Sequence, residues 1–128
     1  MDPVTVGLAA SVLLASKFGE GFAGKAGEST WAALGKLWKL VADKLAGNPE
    51  GTAALDSLAV QPQSTERQRA VAEKITAAVR ADASFASEAA DLVTLARRNP
   101  QAEILVATAF DSAKQVNIAG DNFGAITL

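Results

Sequence analysis

The 128-residue chain has no cysteine, no histidine and no tyrosine. The absence of cysteine excludes a disulfide framework and a thiolate zinc site. The absence of histidine excludes Ser-His-Asp and Cys-His catalysis, imidazole metal ligands and the usual general base near neutral pH. We therefore predict that the protein is not an enzyme and has no catalytic residue, no cofactor and no metal site.

The chain also has no large excess of positive or negative charge, because 12 basic residues nearly balance 14 acidic ones, for a net charge of −2. The basic residues are scattered along the chain, so no electrostatic footprint for nucleic acid is present and nucleic acid is not an expected partner. Apolar residues make up 49% of the chain and charged residues 20%. This composition and length predict one compact globular core.

Residues 4–16 form an uncharged apolar run. Asp2 precedes the run without any Lys or Arg, so the cationic region of a secretory signal is missing and we predict that the mature protein retains the segment. The run is shorter than the roughly 20 residues that a helix needs to cross a bilayer. It is predicted to be either a core helix or a helix that inserts into a membrane only on activation.

The same segment has two distinct faces when it is drawn as a helix. Small residues recur at every fourth position, a pattern that lets helices approach closely inside membranes: Gly7, Ser11, Ala15, Gly19, Ala23 and Gly27. The residues predicted to insert into a membrane are Val4, Val6, Leu8, Val12, Leu13, Leu14, Phe18 and Phe22. The alternative, favoured for the resting chain, is a central bundle helix packed closely against alanine-rich neighbours.

Capping residues and prolines divide the chain into helical segments. The predicted caps are Asp2, Ser29 or Thr30, Asn48, Ser64 and Asn99, and a break is predicted near residues 82–84. Between them, apolar residues recur at spacings of three and four, which is typical of amphipathic helices. The predicted fold is an all-α bundle of four to six helices over residues 1–112, with the hydrophobic helix first.

The apolar stripes predict which residues form the core. The stripe of the second helix comprises Trp31, Leu34, Trp38, Val41 and Leu45, with both tryptophans as core anchors. The fourth and fifth helices contribute Val71, Ile75, Ala78, Val79, Phe85, Ala89, Leu92, Val93 and Ala96. The charged residues of these helices lie outside the stripes, as expected for surface helices of a soluble bundle.

Three polar patterns could indicate a binding site, but each has a simpler interpretation. Residues 19–25 fit G-x-x-x-x-G-K, yet Ala26 replaces the required Ser or Thr and a helix precedes the pattern where a strand is needed, so nucleotide binding is disfavoured. Glu88 and Asp91 share a helix face without a third ligand, which favours a solvated face. The same holds for the lysines of the second helix, which could contact anionic lipid headgroups: Lys36, Lys39 and Lys44.

After Lys114 the helix-forming character ends and two β-prone stretches flank a turn-forming cluster. The stretches 116–118 and 123–126 are short, nearly uncharged and free of proline, a composition that permits in-register stacking into a cross-β fibril. An ordinary edge hairpin packed on the helices is the alternative. We predict that residues 113–128 form a β-prone tail, able to stack into cross-β structure, that is flexible or only loosely docked in the monomer.

The tail resembles the RIP homotypic interaction motif and its bacterial amyloid counterparts. Val116, Ile118, Asn122 and Ile126 match the motif in place, while Asn117 stands for Gln and Phe123 for Tyr. Ala119 occupies the usual glycine position and Gly120 follows one residue later, which alters the turn. The motif is assigned to Gln115, Val116, Asn117, Ile118, Ala119, Gly120, Asp121, Asn122, Phe123, Gly124, Ala125 and Ile126.

The helical part resembles the bacterial domain called Bell, an analogue of the fungal HeLo and HeLo-like domains and of four-helix cell-death executioner domains. The resemblance rests on architecture: the hydrophobic helix after Asp2, the tryptophan-containing second helix, the junctions at residues 48–49 and 82–85, and the C-terminal motif. It implies that the N-terminal helix permeabilises a membrane when a partner with a matching motif templates the tail.

This resemblance implies a pore-forming effector of regulated cell death in bacterial immunity. Its expected partners are other copies of itself through the C-terminal motif, an NLR-like receptor with a matching motif, and membrane lipids. Its expected location is the cytoplasm at rest and the inner membrane on activation. The alternative is a non-toxic helical adaptor that recruits another effector through homotypic assembly of the motif.

Overall fold

The computed structural model of the chain describes residues 2–18 and 27–111. Over these ranges the chain forms six helices and no strand, which confirms the predicted all-α bundle. The helices are α1 (Pro3–Phe18), α2 (Glu28–Leu45), α3 (Pro49–Val60), α4 (Thr65–Ala81), α5 (Ala83–Ala96) and α6, described over residues 100–111. The predicted amyloid tail, residues 113–128, lies outside the described residues.

The predicted helix starts are confirmed wherever a capping side chain precedes the apolar stripe. In each case a side-chain oxygen accepts a hydrogen bond from a backbone N–H two or three residues later, which satisfies a donor that the helix itself leaves free. These caps are Asp2, Asn48, Ser64 and Asn99. Asp82, inside the predicted break, caps α5 in the same way and also ends α4.

The predicted cap of the second helix is wrong. The helix α2 begins at Glu28 with Gly27 as its N-cap, and no side chain caps it. Thr30 is the third residue of the helix and is buried. Glu28 places a negative charge in that turn, which the partial positive charge of the helix N-terminus favours.

The core is built mainly from alanine, valine and leucine contributed by all six helices. Helix α1 lies at its centre, with its most extensive contacts to α4 and further contacts to α5 and α2. The predicted core residues Val71, Ile75 and Val79 of α4 are buried, as are Phe85 and Val93 of α5. The amphipathic patterns of these two helices were therefore sufficient to place their inner faces.

The prediction that Trp31 anchors the core is wrong. Its side chain is 36% exposed, and Lys17 Nζ lies 4.7 Å from the centre of its ring. Leu34 and Val41 are buried as predicted, but Leu37 completes the inner stripe and Trp38 is only half-buried. The stripe is rotated toward Leu37 because α2 packs chiefly on α5, which the sequence of α2 alone does not specify.

Three ion pairs link different elements of the described part of the chain: Lys44–Asp82 at 2.6 Å, Lys74–Glu50 at 2.9 Å and Arg97–Glu103 at 2.7 Å. The hydrogen bond from the basic partner is the main reason that the pKa values of Glu50, Asp82 and Glu103 lie below their ordinary values. These carboxylates therefore tie the acid stability of the bundle to three junctions between helices.

We expect the bundle to lose stability in acid. Because these pKa values are lower in the folded chain, the unfolded chain binds protons first, so the stabilisation is complete above about pH 5 and is lost as the pH falls through the folded values. Thermal unfolding followed by circular dichroism should show a melting temperature that falls with pH in this range, and less steeply in Glu103→Gln. A melting temperature that stays constant or rises in acid would contradict the assignment.

Candidate functional site

Helix α1 carries seven of the eight predicted membrane-inserting residues, and four of these seven are buried. Val6, Val12, Leu13 and Leu14 are buried, Leu8 is half-buried, and Val4 is 57% exposed. Phe18 is the last residue of α1, and Phe22 lies outside the described residues. In the folded chain the four buried residues therefore contact protein, and the insertion of this helix into a membrane stays a prediction.

The ridge of small residues lets α1 approach α4 closely. A Cβ atom added at Gly7 would lie 2.7 Å from the backbone oxygen of Ala72 and would also collide with the hydroxyl of Thr76. Ser11 and Ala15, one and two turns later, are buried as well. The backbones of α1 and α4 thus pack at a separation that no residue larger than glycine permits at position 7.

The buried hydroxyl groups of α1 are satisfied within the helix. Ser11 Oγ donates to the carbonyl oxygen of Leu8 at 2.8 Å, and Ser16 Oγ donates to that of Leu13 at 2.6 Å. Such bonds from a side chain to the preceding turn move with the helix. Removing α1 from the bundle would therefore leave neither hydroxyl without an acceptor.

Polar contacts between α1 and the other helices are few and weak. Thr76 Oγ1 lies 3.4 Å from the carbonyl oxygen of Pro3, but it lies closer, at 2.7 Å, to that of Ala72 in its own helix. Lys17 is the one charged residue of α1, and it contacts the ring of Trp31. None of the ion pairs in the described part of the chain includes a residue of α1, so apolar packing holds this helix in place.

The structure adds no further predicted feature to the site at α1. The motif residues 115–126 and the glycine-rich stretch 19–26 lie outside the described residues. Within the described ranges, no helix is both long enough and apolar enough to cross a bilayer. No group of acidic side chains there is arranged to hold a metal ion.

One surface feature was not predicted from the sequence. Charged residues that the sequence places on two separate solvated faces lie on the two sides of one open groove between α2 and α5, with a volume of about 450 Å³. We call it the α2/α5 groove; it is lined by Lys36, Lys39, Leu40, Asp43, Glu88, Asp91 and Leu92. No sequence pattern reveals it, because it depends on how the two helices are aligned.

Comparison with protein-family models, with curated proteins and with solved structures finds no match to the chain. The resemblance to Bell domains and to the RIP homotypic interaction motif therefore stays a prediction from the sequence.

Proposed function

We propose that the protein is a membrane-disrupting cell-death effector whose helix α1 leaves the bundle when the C-terminal motif assembles into cross-β structure on a partner with a matching motif. The observation that carries this proposal is the chemistry of α1. Its only charged residue is Lys17 in the last turn, and its buried hydroxyls bond to their own helix. The helix could therefore enter an apolar phase with both buried hydroxyls still hydrogen-bonded and with its one charge close to one end.

The proposal requires energy to open the bundle. Val6, Leu13 and Leu14 are fully buried, and exposing each of them to water costs about 1.5–3 kcal/mol. Transfer into a lipid environment would offset that cost, because hydrocarbon replaces the protein interior around the same side chains. Assembly of the tails would contribute the rest of the required free energy, because it raises the local concentration of the helical domains.

A second function, the non-toxic adaptor, is favoured by the same burial. An adaptor would keep α1 in the core and use the bundle as a soluble carrier for the tail. The two functions differ in one observable, since both require the tail to assemble but the effector alone releases the contents of a vesicle.

Dye release from liposomes tests the proposal. The full chain is added to vesicles that contain anionic lipid, with and without preformed fibrils of a peptide comprising residues 115–128. We expect rapid release with the fibrils and little without them. Fibril growth without release would support the adaptor, and a peptide that forms no fibrils even at high concentration would refute both functions.

The Val4→Glu variant tests membrane insertion without disturbing the fold. Val4 is 57% exposed in the first turn of α1, where a negative charge is favoured by the helix dipole, so the bundle should keep its melting temperature. The carboxylate interrupts the apolar run and should lower the rate of seeded dye release by about tenfold. Val60→Glu is the matched control: Val60 is 76% exposed on α3, and its replacement should leave release unchanged.

A further inference from the structure

The α2/α5 groove separates charges of opposite sign. Lys36 and Lys39 lie on the α2 side, and Glu88 and Asp91 lie on the α5 side. None of these four residues belongs to an ion pair within the described part of the chain. Opposite charges therefore stand on the two sides of the groove without neutralising each other.

The Lys44–Asp82 ion pair shows how the two helices are aligned. This pair joins the last turn of α2 to the residue that caps the start of α5 at 2.6 Å, and because the two helices share a groove beyond it, they run antiparallel. Counted from this pair, Lys39 lies within one residue of the level of Glu88, and Lys36 lies within one residue of the level of Asp91. The charges thus form two facing rows, positive on α2 and negative on α5.

The floor between the two rows is apolar. Leu40 and Leu92 line the groove and are half-buried against the core. A surface with an apolar centre and charged sides is the composition that protein interfaces commonly have. Because the two rows are opposite in sign, the surface is complementary to a copy of itself.

We propose that a second copy of this chain docks on the α2/α5 groove about a two-fold axis that runs along the groove. This axis brings the lysine row of each copy onto the acidic row of the other, in the isologous arrangement of a symmetric dimer. An axis across the groove would instead place lysine against lysine, and charge repulsion excludes it. The apolar floors of the two copies then meet at the centre.

The fifth charged residue of the groove is compatible with this arrangement. Asp43 lies on the α2 side at the end next to the Lys44–Asp82 pair, level with Ala83 and Ser84. The two-fold axis places it against these uncharged residues of the second copy. The acidic residue next to them, Asp82, is already paired with Lys44.

The expected contact is small, so the association is weak and depends on salt. The floor offers only two leucines per copy, and exposed ion pairs each add little. Screening by salt weakens such pairs further, so the dimer should dissociate as ionic strength rises. This contact belongs to the helical bundle and does not depend on the proposed assembly of the tail.

Charge reversal with cross-rescue tests the proposed dimer. One variant carries Lys36→Glu and Lys39→Glu, which makes both rows negative; the other carries Glu88→Lys and Asp91→Lys, which makes both positive. All samples are full chains that also carry Ile118→Pro, since proline removes a hydrogen-bond donor from any cross-β ladder formed by the tail. Sedimentation velocity at low salt, up to about 1 mM protein, measures association.

We expect the background chain to dimerise, each reversed variant to dimerise at least tenfold more weakly, and an equimolar mixture of the two variants to recover the association. Recovery also demonstrates that both variants are folded, because each must present an intact groove to the other. The proposal is overturned if the background chain stays monomeric, if both variants associate as the background chain does, or if mixing restores nothing.

Discussion

In the Leu14→Glu variant we expect the cooperative unfolding transition to disappear. Leu14 is fully buried at the centre of the bundle. Removing a buried leucine side chain costs about 2–5 kcal/mol, and an unpaired carboxylate in its place costs several more. The total approaches the roughly 5–15 kcal/mol that stabilises a typical domain.

Circular dichroism during thermal and urea unfolding measures the effect, with Val60→Glu as a control that introduces the same side chain at an exposed position. A cooperative transition in Leu14→Glu within a few degrees of the parent would show that α1 is not a core helix. The expected result also means that loss of toxicity in this variant would report unfolding, whereas Val4→Glu reports insertion.

The same glycine-to-alanine change should have opposite effects in α1 and α2. At Gly7 the added methyl group meets the backbone oxygen of Ala72 and the hydroxyl of Thr76, so α1 and α4 must separate, at a cost of about 1–3 kcal/mol. At Gly35 no atom lies within 4 Å of the added carbon. There alanine should stabilise α2 by about 0.5–1 kcal/mol, because glycine loses more backbone freedom on folding.

Urea unfolding of the two variants beside the parent measures both effects as shifts of the midpoint in opposite directions. An unchanged midpoint for Gly7→Ala would contradict the close approach of α1 and α4, and a lower midpoint for Gly35→Ala would contradict the open space beside Gly35. The pair of variants controls for the general preference of helices for alanine, which contributes equally at both positions.

The parts of the fold that could be predicted from the sequence are those set by local chemistry. Asn48 and Ser64 cap their helices because the acceptor and the donor lie only three residues apart. The inner faces of α4 and α5 follow from apolar residues at a helical period. Trp31 could not be placed in this way, since which side of α2 faces inward depends on the packing of α5 against it.

The candidate site was predictable to a similar extent. The apolar composition of α1 and its small residues can be read directly from the sequence, and the structure shows that Gly7 is where this helix meets α4. The choice of α4 as the partner could not be predicted, because the contact of Gly7 with Thr76 spans most of the chain. Predicting the α2/α5 groove from the sequence would require the same knowledge of contacts between distant residues.

Asp82 connects α4 directly to α5. It ends α4 through its backbone N–H and begins α5 through its side chain, so no further residue separates the two helices. Its carboxylate also binds Lys44 of α2. Helix α4 makes the most extensive contacts with α1, and α5 forms one wall of the α2/α5 groove, so this single residue connects the helix that holds α1 to a helix that lines the groove.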